Sequence, residues 1–165
     1  MNIMKKTNLV VLGLGSNLGD SRSILINAAE TLKTILCELK NAPLYKTDPL
    51  YVLDQGCFIN TAVAGFYDNS PGDLLKEINK IEKQFGRNRA KERRWGERSL
   101  DIDILLFGNE IINSPDLVIP HPRLKERRFA LEPLLKIIPE AREPGTGLFY
   151  QKVCETLPNQ GVSLL

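Results

Sequence analysis

The order in which strand-like and helix-like patterns follow one another constrains the fold of this chain most. The signals are clearest for one helix, which Ser70 caps, Pro71 opens and Gly86 ends, and Asp20 or Ser21 is the expected cap of an earlier helix. Pro49 keeps the residue before it out of the helical region. The predicted elements are, in order, a strand at Asn8–Leu14, a helix at Asp20–Cys37, an extended segment at Ala42–Tyr45, a strand at Phe58–Tyr67, a helix at Ser70–Gly86 and a strand at Leu100–Phe107.

This β-α-β-β-α-β order predicts a ferredoxin-like α+β sandwich, in which helices cover an antiparallel sheet. A hairpin after Gly108, a turn at Pro120–Pro122 and a helical region at Phe129–Leu135 form a C-terminal elaboration. The chain has 165 residues, and one domain covering residues 1–165 is expected. At this length about 68 to 70% of the unfolded surface can be buried, so the fold requires neither a metal nor a disulfide.

The composition excludes several classes of function. Twenty-two Lys and Arg face twenty Asp and Glu, and a net charge of +2 is too small for a general affinity for nucleic acid or membrane. Cys37, Cys57 and Cys154 are odd in number and lack C-x-x-C spacing, which favours a reduced, cytoplasmic compartment. The apolar run near the N-terminus is too short for a membrane span. We expect a monomer that binds small molecules.

A strand late in the chain carries two acidic residues. In Leu100–Phe107 the two-residue period places Asp101 and Asp103 on one face and Ile102 and Ile104 on the other. Carboxylates attached about 6 to 7 Å apart repel each other unless a cation lies between them or one is protonated. Magnesium fits, because it prefers oxygen ligands from one or two carboxylates together with substrate phosphates. The alternative is that both aspartates simply face water.

A basic segment leads directly into this strand. Arg87–Arg98 carries six Lys and Arg against two Glu and is expected to be a mobile loop. A solvated charge run is the alternative interpretation. An arginine-rich loop before a D-x-D strand nevertheless supplies the components of phosphoryl transfer, namely a metal site and guanidinium groups for the charge on the transferred group.

Three other features leave two interpretations open. Trp95 either closes the basic loop over a ligand or anchors it to the core. His121, the sole histidine, either contacts a phosphate or ribose or belongs to an ordinary surface turn. The predicted turn Gly13–Gly19 resembles a phosphate loop but matches neither common glycine pattern, and the alternative is that its glycines serve only to let the backbone turn tightly after the first strand.

Several short motifs together resemble one enzyme family. The most specific is Arg94–Ile104, an arginine-tryptophan-glycine run that ends in the D-x-D strand. The others are Gly15–Gly19, Thr47–Leu50, Phe58–Asn60, Ile81–Glu82, Gly86–Arg87, His121 and Arg127–Phe129. From Leu9 to about Leu135 the chain resembles the 6-hydroxymethyl-7,8-dihydropterin pyrophosphokinases of folate biosynthesis.

The resemblance implies that the diphosphate of ATP moves to the hydroxymethyl group of the pterin, with release of AMP. It implies that Asp101 and Asp103 hold two Mg²⁺ and that Arg87 and Arg98 are catalytic residues on the transferring group. The implied nucleotide contacts are Asn79, Glu82, Arg89, Arg94, Ile104, His121 and Arg127. The implied pterin contacts are Thr47, Asp48, Leu50, Phe58, Asn60, Trp95 and Phe129.

Two other classes of function compete with this one. An RNA-binding module can share a ferredoxin-like sheet, but its aromatic motif is absent and acidic Asp101 and Asp103 would repel a phosphate backbone. A kinase of the same construction could act on another flat heterocyclic alcohol. Only the matches at Phe58, Asn60 and Phe129 favour the pterin over such a substrate.

Overall fold

A computed structural model describes residues 7–49, 52–92, 94 and 96–165. The strands are β1 (Asn8–Ser16), β2 (Cys37–Asn41), β3 (Tyr45–Thr47), β4 (Phe58–Tyr67), β5 (Asp101–Phe107), β6 (Ile112–Asn113), β7 (Val118–Ile119) and β8 (Val162–Leu164). The helices are α1 (Ser21–Leu32), α2 (Pro71–Gln84), α3 (Arg128–Ile137) and α4 (Tyr150–Thr156), with a short 3-10 helix at Leu124–Glu126.

Six strands form one antiparallel sheet in the order β5-β1-β4-β3-β8, and β2 pairs with the far end of β4. The expected α+β class is therefore confirmed. The single extended segment expected at Ala42–Tyr45 is wrong in its bounds, because the chain is extended on either side of it. β2 pairs with residues 63–66 of β4 and β3 with residues 58–60, so the two short strands together follow one long partner.

The first helix is shorter than predicted. Asp20 caps α1 as expected, since its carboxylate accepts a hydrogen bond from the Ser23 amide at 3.2 Å. The helix ends at Leu32 instead of continuing to Cys37. After Leu32 the amides bond three residues back, and the Thr34 hydroxyl donates to the Thr31 carbonyl at 2.7 Å. A threonine hydroxyl that bonds the backbone in this way competes with continued helix, and the chain enters β2 instead.

The second helix and the following hairpin confirm their sequence signals. Ser70 caps α2, Pro71 is its first residue, and Gly86 takes a φ of 85° just beyond its end. β6 and β7 form the hairpin expected after Gly108, and α3 contains the predicted helical region. The sequence analysis missed α4 and β8, and β8 adds a further strand to the sheet beside β3.

Two apolar clusters lie on opposite faces of the sheet. One contains Leu25, Ala28 and Leu32 of α1 with Leu74 and Ile78 of α2. The other lies beneath α3 and α4 and contains Leu131, Leu134 and Tyr150. Among the helices of the described residues, none combines the length and apolar character that crossing a bilayer requires.

Candidate active site

An open pocket of about 820 Å³ lies on the sheet face that α3 covers. Strands β1, β3, β4 and β5 and the beginning of α3 all contribute to its wall. Ten of the predicted site residues line it: Thr47, Asp48, Phe58, Asn60, Arg98, Asp101, Asp103, His121, Arg127 and Phe129. The fold thus brings together residues that are up to 82 positions apart in the chain.

Two glycines of β1 form the floor of this pocket, which corrects their prediction as part of a turn. Gly15 pairs with Asp101 and Gly13 with Asp103 across the β1–β5 ladder. A Cβ on Gly15 would lie 2.7 Å from Oδ1 of Asn60, well inside contact distance. Because a side chain at Gly15 would collide with Asn60, the glycine leaves space between the acids and the polar wall. Extended backbone hid this role from the sequence analysis, since β1 continues to Ser16.

Two arginines hold the carboxylate of Asp101. Nη1 of Arg87 contacts Oδ1 of Asp101 at 2.5 Å, and Nη1 of Arg98 contacts Oδ2 at 3.0 Å. Burial alone would raise the pKa of Asp101, but the two guanidinium groups outweigh it and hold this pKa below its usual value. Asp101 is therefore an anion at neutral pH.

Asp103 has a different environment, although it lies on the same face. Burial, together with the negative charge of Asp101, raises the pKa of Asp103 to about 7. Its Oδ2 lies 3.8 Å from Nε2 of His121. Burial, together with the nearby charge of Arg127, lowers the pKa of His121 to about 4, so the imidazole is neutral. Nδ1 of His121 accepts the Arg123 amide at 3.2 Å, which places the ring proton on Nε2, facing Asp103.

Behind Asp101, a buried carboxylate joins α2 to β5. The Glu82 side chain is 1% exposed, and its Oε1 accepts hydrogen bonds from Nη1 of Arg87 and from the Ile102 amide, the latter at 2.8 Å. Its Oε2 accepts a hydrogen bond from Nη2 of Arg89 at 2.8 Å. Burial lowers the pKa of Arg87, but Asp101 and Glu82 raise it on balance, so Arg87 stays charged. Glu82 therefore contacts arginines and the backbone of β5 and does not line the pocket.

The remaining predicted nucleotide contacts lie outside the pocket. Arg89 bonds Oδ1 of Asn79 at 3.3 Å and is mostly exposed, and Arg94 is also exposed. The Ile104 side chain is buried in the apolar cluster with α1 and α2, on the face opposite the two acids. The structure leaves the predicted nucleotide roles of these residues as predictions.

The other side of the pocket is aromatic and polar. Asn60 is buried in β4, and its Nδ2 donates to Oγ1 of Thr47 at 2.9 Å, which fixes the orientation of the amide. Phe58 begins β4 and Phe129 lies in the first turn of α3. The guanidinium carbon of the buried Arg127 lies 5.5 Å from the Phe129 ring centroid. Predicted pterin contacts at Leu50 and Trp95 lie outside the described residues.

Sequence reasoning missed two residues that connect the loops beside the pocket. Oδ1 of Asn17 accepts a hydrogen bond from the backbone amide of Arg98 at 2.9 Å. The backbone amide of Asn17 in turn donates to the Arg98 carbonyl at 3.2 Å. Nδ2 of Asn17 donates to Oε1 of Gln55, which lines the pocket, at 3.0 Å. The position of Asn17 in the Gly15–Gly19 motif was the available signal, but spacing alone does not reveal what an amide contacts.

The donor set suits magnesium. Asp101 and Asp103 present carboxylate oxygens to one pocket, and Asp101 also contacts two guanidinium groups. Among residues 7–49, 52–92, 94 and 96–165, no group of three or more His, Cys, Asp or Glu side chains could hold a metal. Mg²⁺ typically uses one or two carboxylates and takes its other ligands from phosphates and water. These two residues therefore fit a Mg²⁺ site that a phosphate chain completes.

Paired acids and arginines beside two aromatic rings define a class, that of enzymes that transfer a phosphorus-containing group to a flat substrate. The sequence profile of the 7,8-dihydro-6-hydroxymethylpterin-pyrophosphokinase (HPPK) family matches residues 11–139. This chain belongs to that family, whose members are ATP-dependent diphosphotransferases of folate synthesis.

Curated relatives agree with this assignment. The chain is 39% identical over 141 residues to the 2-amino-4-hydroxy-6-hydroxymethyldihydropteridine pyrophosphokinase of Bacillus subtilis, covering 84% of this chain and 83% of that one. It is 41% identical over 136 residues to the enzyme of that name in Aquifex aeolicus, covering 82% and 83%. The folic acid synthesis protein fol1 of Pneumocystis carinii is 39% identical over 88% of this chain, which spans only 20% of that longer protein.

A solved structure supports the fold. The HPPK-DHPS of Plasmodium falciparum, crystallised with pterin and p-hydroxybenzoate, superposes with a TM-score of 0.73 at 17% identity. The superposition covers 93% of this chain and 44% of the other. At this identity the comparison supports the fold alone.

Proposed function

We propose that this chain transfers the diphosphate group of ATP to the hydroxymethyl group of 6-hydroxymethyl-7,8-dihydropterin in folate biosynthesis. The hydroxymethyl oxygen forms a bond to the β-phosphorus, and the bond from that phosphorus to the oxygen it shares with the α-phosphate breaks. AMP leaves with that oxygen, and the hydroxyl proton passes to water. The observation that carries this proposal is the joining of Asp101, Asp103 and Arg98 to Phe58 and Phe129 in one pocket.

Asp101 and Asp103 would hold two Mg²⁺ between them and the phosphates of ATP. Bound Mg²⁺ supplies charge neutralisation on the bridging and terminal phosphate oxygens. The chain contributes the carboxylates at a fixed spacing on β5, opposite Gly15 and Gly13, where no side chain obstructs the phosphates. Burial and the charge of Asp101 raise the pKa of Asp103, and a cation bound beside the two carboxylates would lower that pKa again and so favour the ionised form.

Arg98 and Arg87 would stabilise the charge on the transferring diphosphate. Arg98 lines the pocket, and its side chain is 15% exposed. Arg87 is more buried and reaches the site through Asp101. Guanidinium groups suit this role because they stay charged and donate several hydrogen bonds in one plane. Attack by a primary alcohol at phosphorus depends more on alignment and charge than on a strong base.

The aromatic side of the pocket would hold the pterin. Phe58 and Phe129 can stack on a flat ring, while the Asn60 amide and the backbone near Thr47 and Asp48 can read its polar edge. The hydrogen bond from Asn60 to Thr47 holds the amide in one orientation, which supports selection of a ligand with a fixed donor and acceptor pattern.

The strand order supports the finer fold assignment as well. Treating β2 and β3 as one interrupted strand gives an antiparallel order of fourth, first, third and second strand in β-α-β-β-α-β connection. We infer a ferredoxin-like arrangement on that basis, with α3, α4 and β8 as the elaboration.

The function is tested by following AMP from ATP with Mg²⁺, in the presence and absence of 6-hydroxymethyl-7,8-dihydropterin. AMP and pterin diphosphate should form in equal amounts only when both substrates and the metal are present. A pterin that lacks the hydroxymethyl oxygen is the matched control and should give no AMP. Formation of ADP instead of AMP, or equal AMP formation without the pterin, would contradict the proposal.

A further inference from the structure

The last residues of the chain return to the pterin side of the pocket, although they lie beyond residues 11–139 that match the family profile. β8 pairs with β3, with Val162 opposite Thr47. Immediately before β8, Gln160 and Gly161 contact two separate walls of the pocket. The contacts of these two residues have no counterpart in the motifs that identified the family.

Gln160 supplies the missing cap of α3. Arg127 is at the N-cap position of this helix, but its side chain makes no capping hydrogen bond. Instead Oε1 of Gln160 accepts the Arg128 amide at 2.9 Å, and Nε2 of Gln160 donates to the Glu126 carbonyl at 2.8 Å. The two hydrogen bonds span the backbone on either side of Arg127, directly before Phe129. Because a helix N-terminus with unsatisfied amides frays, Gln160 fixes the start of the helix that carries the aromatic wall.

Gly161 holds the opposite wall. Its carbonyl accepts the Asp48 amide at 3.4 Å, and its φ is 67°. A Cβ at this position would lie 2.3 Å from Oδ2 and 2.8 Å from Cγ of Asp48. Any larger residue would therefore displace Asp48, which lines the pocket next to Thr47. The glycine permits the closest approach of the C-terminal segment to the loop after β3.

We propose that Gln160 and Gly161 are positioning residues for the heterocyclic substrate. Together they link the loop at Asp48 to the start of α3 at Phe129, and so set the spacing of the pterin pocket. This inference rests on the proposed function, because it assigns the spacing to pterin binding. Neither residue lines the pocket, and their hydrogen bonds go to Asp48 and to the backbone beside Arg127 and Phe129. Because Asp48 and Phe129 belong to the pterin side, we expect the larger effect on the heterocyclic substrate and a smaller one, through Arg127, on the nucleotide.

Matched pairs of variants test the proposal by steady-state kinetics. Gln160→Met removes both hydrogen bonds at nearly constant size, and Gln151→Met changes an exposed glutamine of α4 as its control. We expect Gln160→Met to raise KM for the pterin about tenfold, with kcat and KM for ATP within about twofold of wild type. Gln151→Met should leave all three parameters unchanged.

The glycine pair separates backbone strain from the collision with Asp48. Gly161 and Gly147 both have positive φ, at 67° and 72°, but a Cβ on Gly147 would meet nothing within 4 Å. Gly161→Ala and Gly147→Ala should both lower Tm, whereas only Gly161→Ala should raise KM for the pterin. If Gly161→Ala does not fold, Gln160→Met decides the question, because it requires no change in backbone conformation.

Each outcome bears on one claim. An equal rise in both KM values, or no change for Gln160→Met, would overturn the positioning role while the reaction of the wild-type protein stood. Failure of the wild-type protein to form AMP would overturn the proposed function. Equilibrium dialysis of the pterin would then test positioning directly, and equal affinity of wild type and Gln160→Met, or no binding at all, would refute it.

Discussion

Nη1 of Arg98 lies 3.0 Å from Oδ2 of Asp101. The proposed metal ligand and the arginine proposed to stabilise the transferring diphosphate are therefore in direct contact. Arg87 contacts the other oxygen of the same carboxylate. A metal ion bound at Asp101, as proposed, would compete with these guanidinium groups for the same two oxygens. Metal binding at Asp101 would therefore release positive charge toward the phosphates, which are the groups that the arginines are proposed to stabilise.

Asp103→Ala should abolish magnesium-dependent turnover and leave the fold intact. Asp101 is held by Arg87 and Arg98, whereas Oδ2 of Asp103 faces His121 at 3.8 Å, so removal of Asp103 deletes a metal ligand and leaves these two ion pairs of Asp101 in place. AMP formation across a magnesium titration, with circular dichroism, measures both effects. Asp116→Ala, at an exposed position between β6 and β7, is the control. A near-normal kcat for Asp103→Ala would refute the metal assignment.

Arg98→Ala should lower kcat by about two to three decades, since one charged donor at a developing charge is worth a few kcal/mol. The affinity for pterin should change little, because Arg98 contacts Asp101 and the Gly96 carbonyl and not the aromatic wall. Single-turnover kinetics together with pterin binding would separate the two effects. Arg22→Ala, at an exposed position of α1, is the control and should behave as wild type. A loss of pterin affinity at constant kcat would count against the role.

Glu82→Gln should destabilise the protein by about 3 kcal/mol, because it removes a buried charge partner of Arg87. The free energy of unfolding from urea titration measures the loss. Glu77→Gln, in the same helix, is the control. The Glu77 side chain is 39% exposed, and its carboxylate pairs with Lys80. That control should cost less than about 1 kcal/mol. Equal losses of unfolding free energy in the two variants would show that the buried ion pair of Glu82 stabilises the fold no more than the exposed one of Glu77.

The sole histidine should remain neutral at pH values well below the ordinary pKa of histidine. The pKa of His121 is about 4 in the folded protein, against about 6.5 in the unfolded chain, because burial and the charge of Arg127 disfavour the imidazolium. The unfolded chain therefore binds this proton first, and the stability that neutral His121 contributes is complete above pH 6.5 and is lost as the pH falls toward 4.

NMR measures this directly, since the sequence has only one histidine. Between pH 8 and pH 5.5 the ring carbon-bound proton shifts of His121 should show only a small step as the neighbouring Asp103 titrates near pH 7, and the large shift of imidazolium formation should come at lower pH. His121→Gln should remove the corresponding part of the pH dependence of unfolding. A titration midpoint near 6.5 in the folded protein would contradict the prediction.

Amides of residues 87–92 and 96–98 should exchange with deuterium more slowly when ATP, magnesium and a pterin bind together, because phosphates would order the exposed arginines of this loop, such as Arg89. Amides of α1, on the opposite face of the sheet from the pocket, serve as the internal reference. Hydrogen exchange followed by mass spectrometry compares the two states. Identical exchange of the loop in both states would rule out closure over the substrates.

The sequence predicted local structure best where one side chain decides the conformation. Asp20 and Ser70 cap their helices as expected, and the alternation in Leu100–Phe107 placed both aspartates on the pocket face. The end of α1 was wrong because apolar periodicity continues beyond Leu32, whereas the Thr34 hydroxyl turns the chain out of the helix. Periodicity does not register competition between a side chain and the backbone.

Contacts between distant segments could not be predicted from spacing. Gly15 was assigned to a turn because glycine permits turns, yet its function depends on how close Asn60 approaches from β4. The nucleotide contact expected of Glu82 stays a prediction, and nothing in the sequence indicated that both of its oxygens accept hydrogen bonds from arginines and from β5. Gln160 carried no pattern at all, since its partners lie more than 30 positions away.

The enclosure of Arg87 has a thermodynamic consequence. Its side chain is 7% exposed and is bound by Glu82, Glu92 and Asp101. A free arginine loses roughly 2 kcal/mol of rotamer entropy when it is immobilised, and here that loss accompanies folding instead of the encounter with nucleotide. If Arg87 acts on the transferring group as proposed, ATP would meet a guanidinium that is already ordered, and the entropy cost of ordering it would reduce the stability of the protein instead of the affinity for substrate.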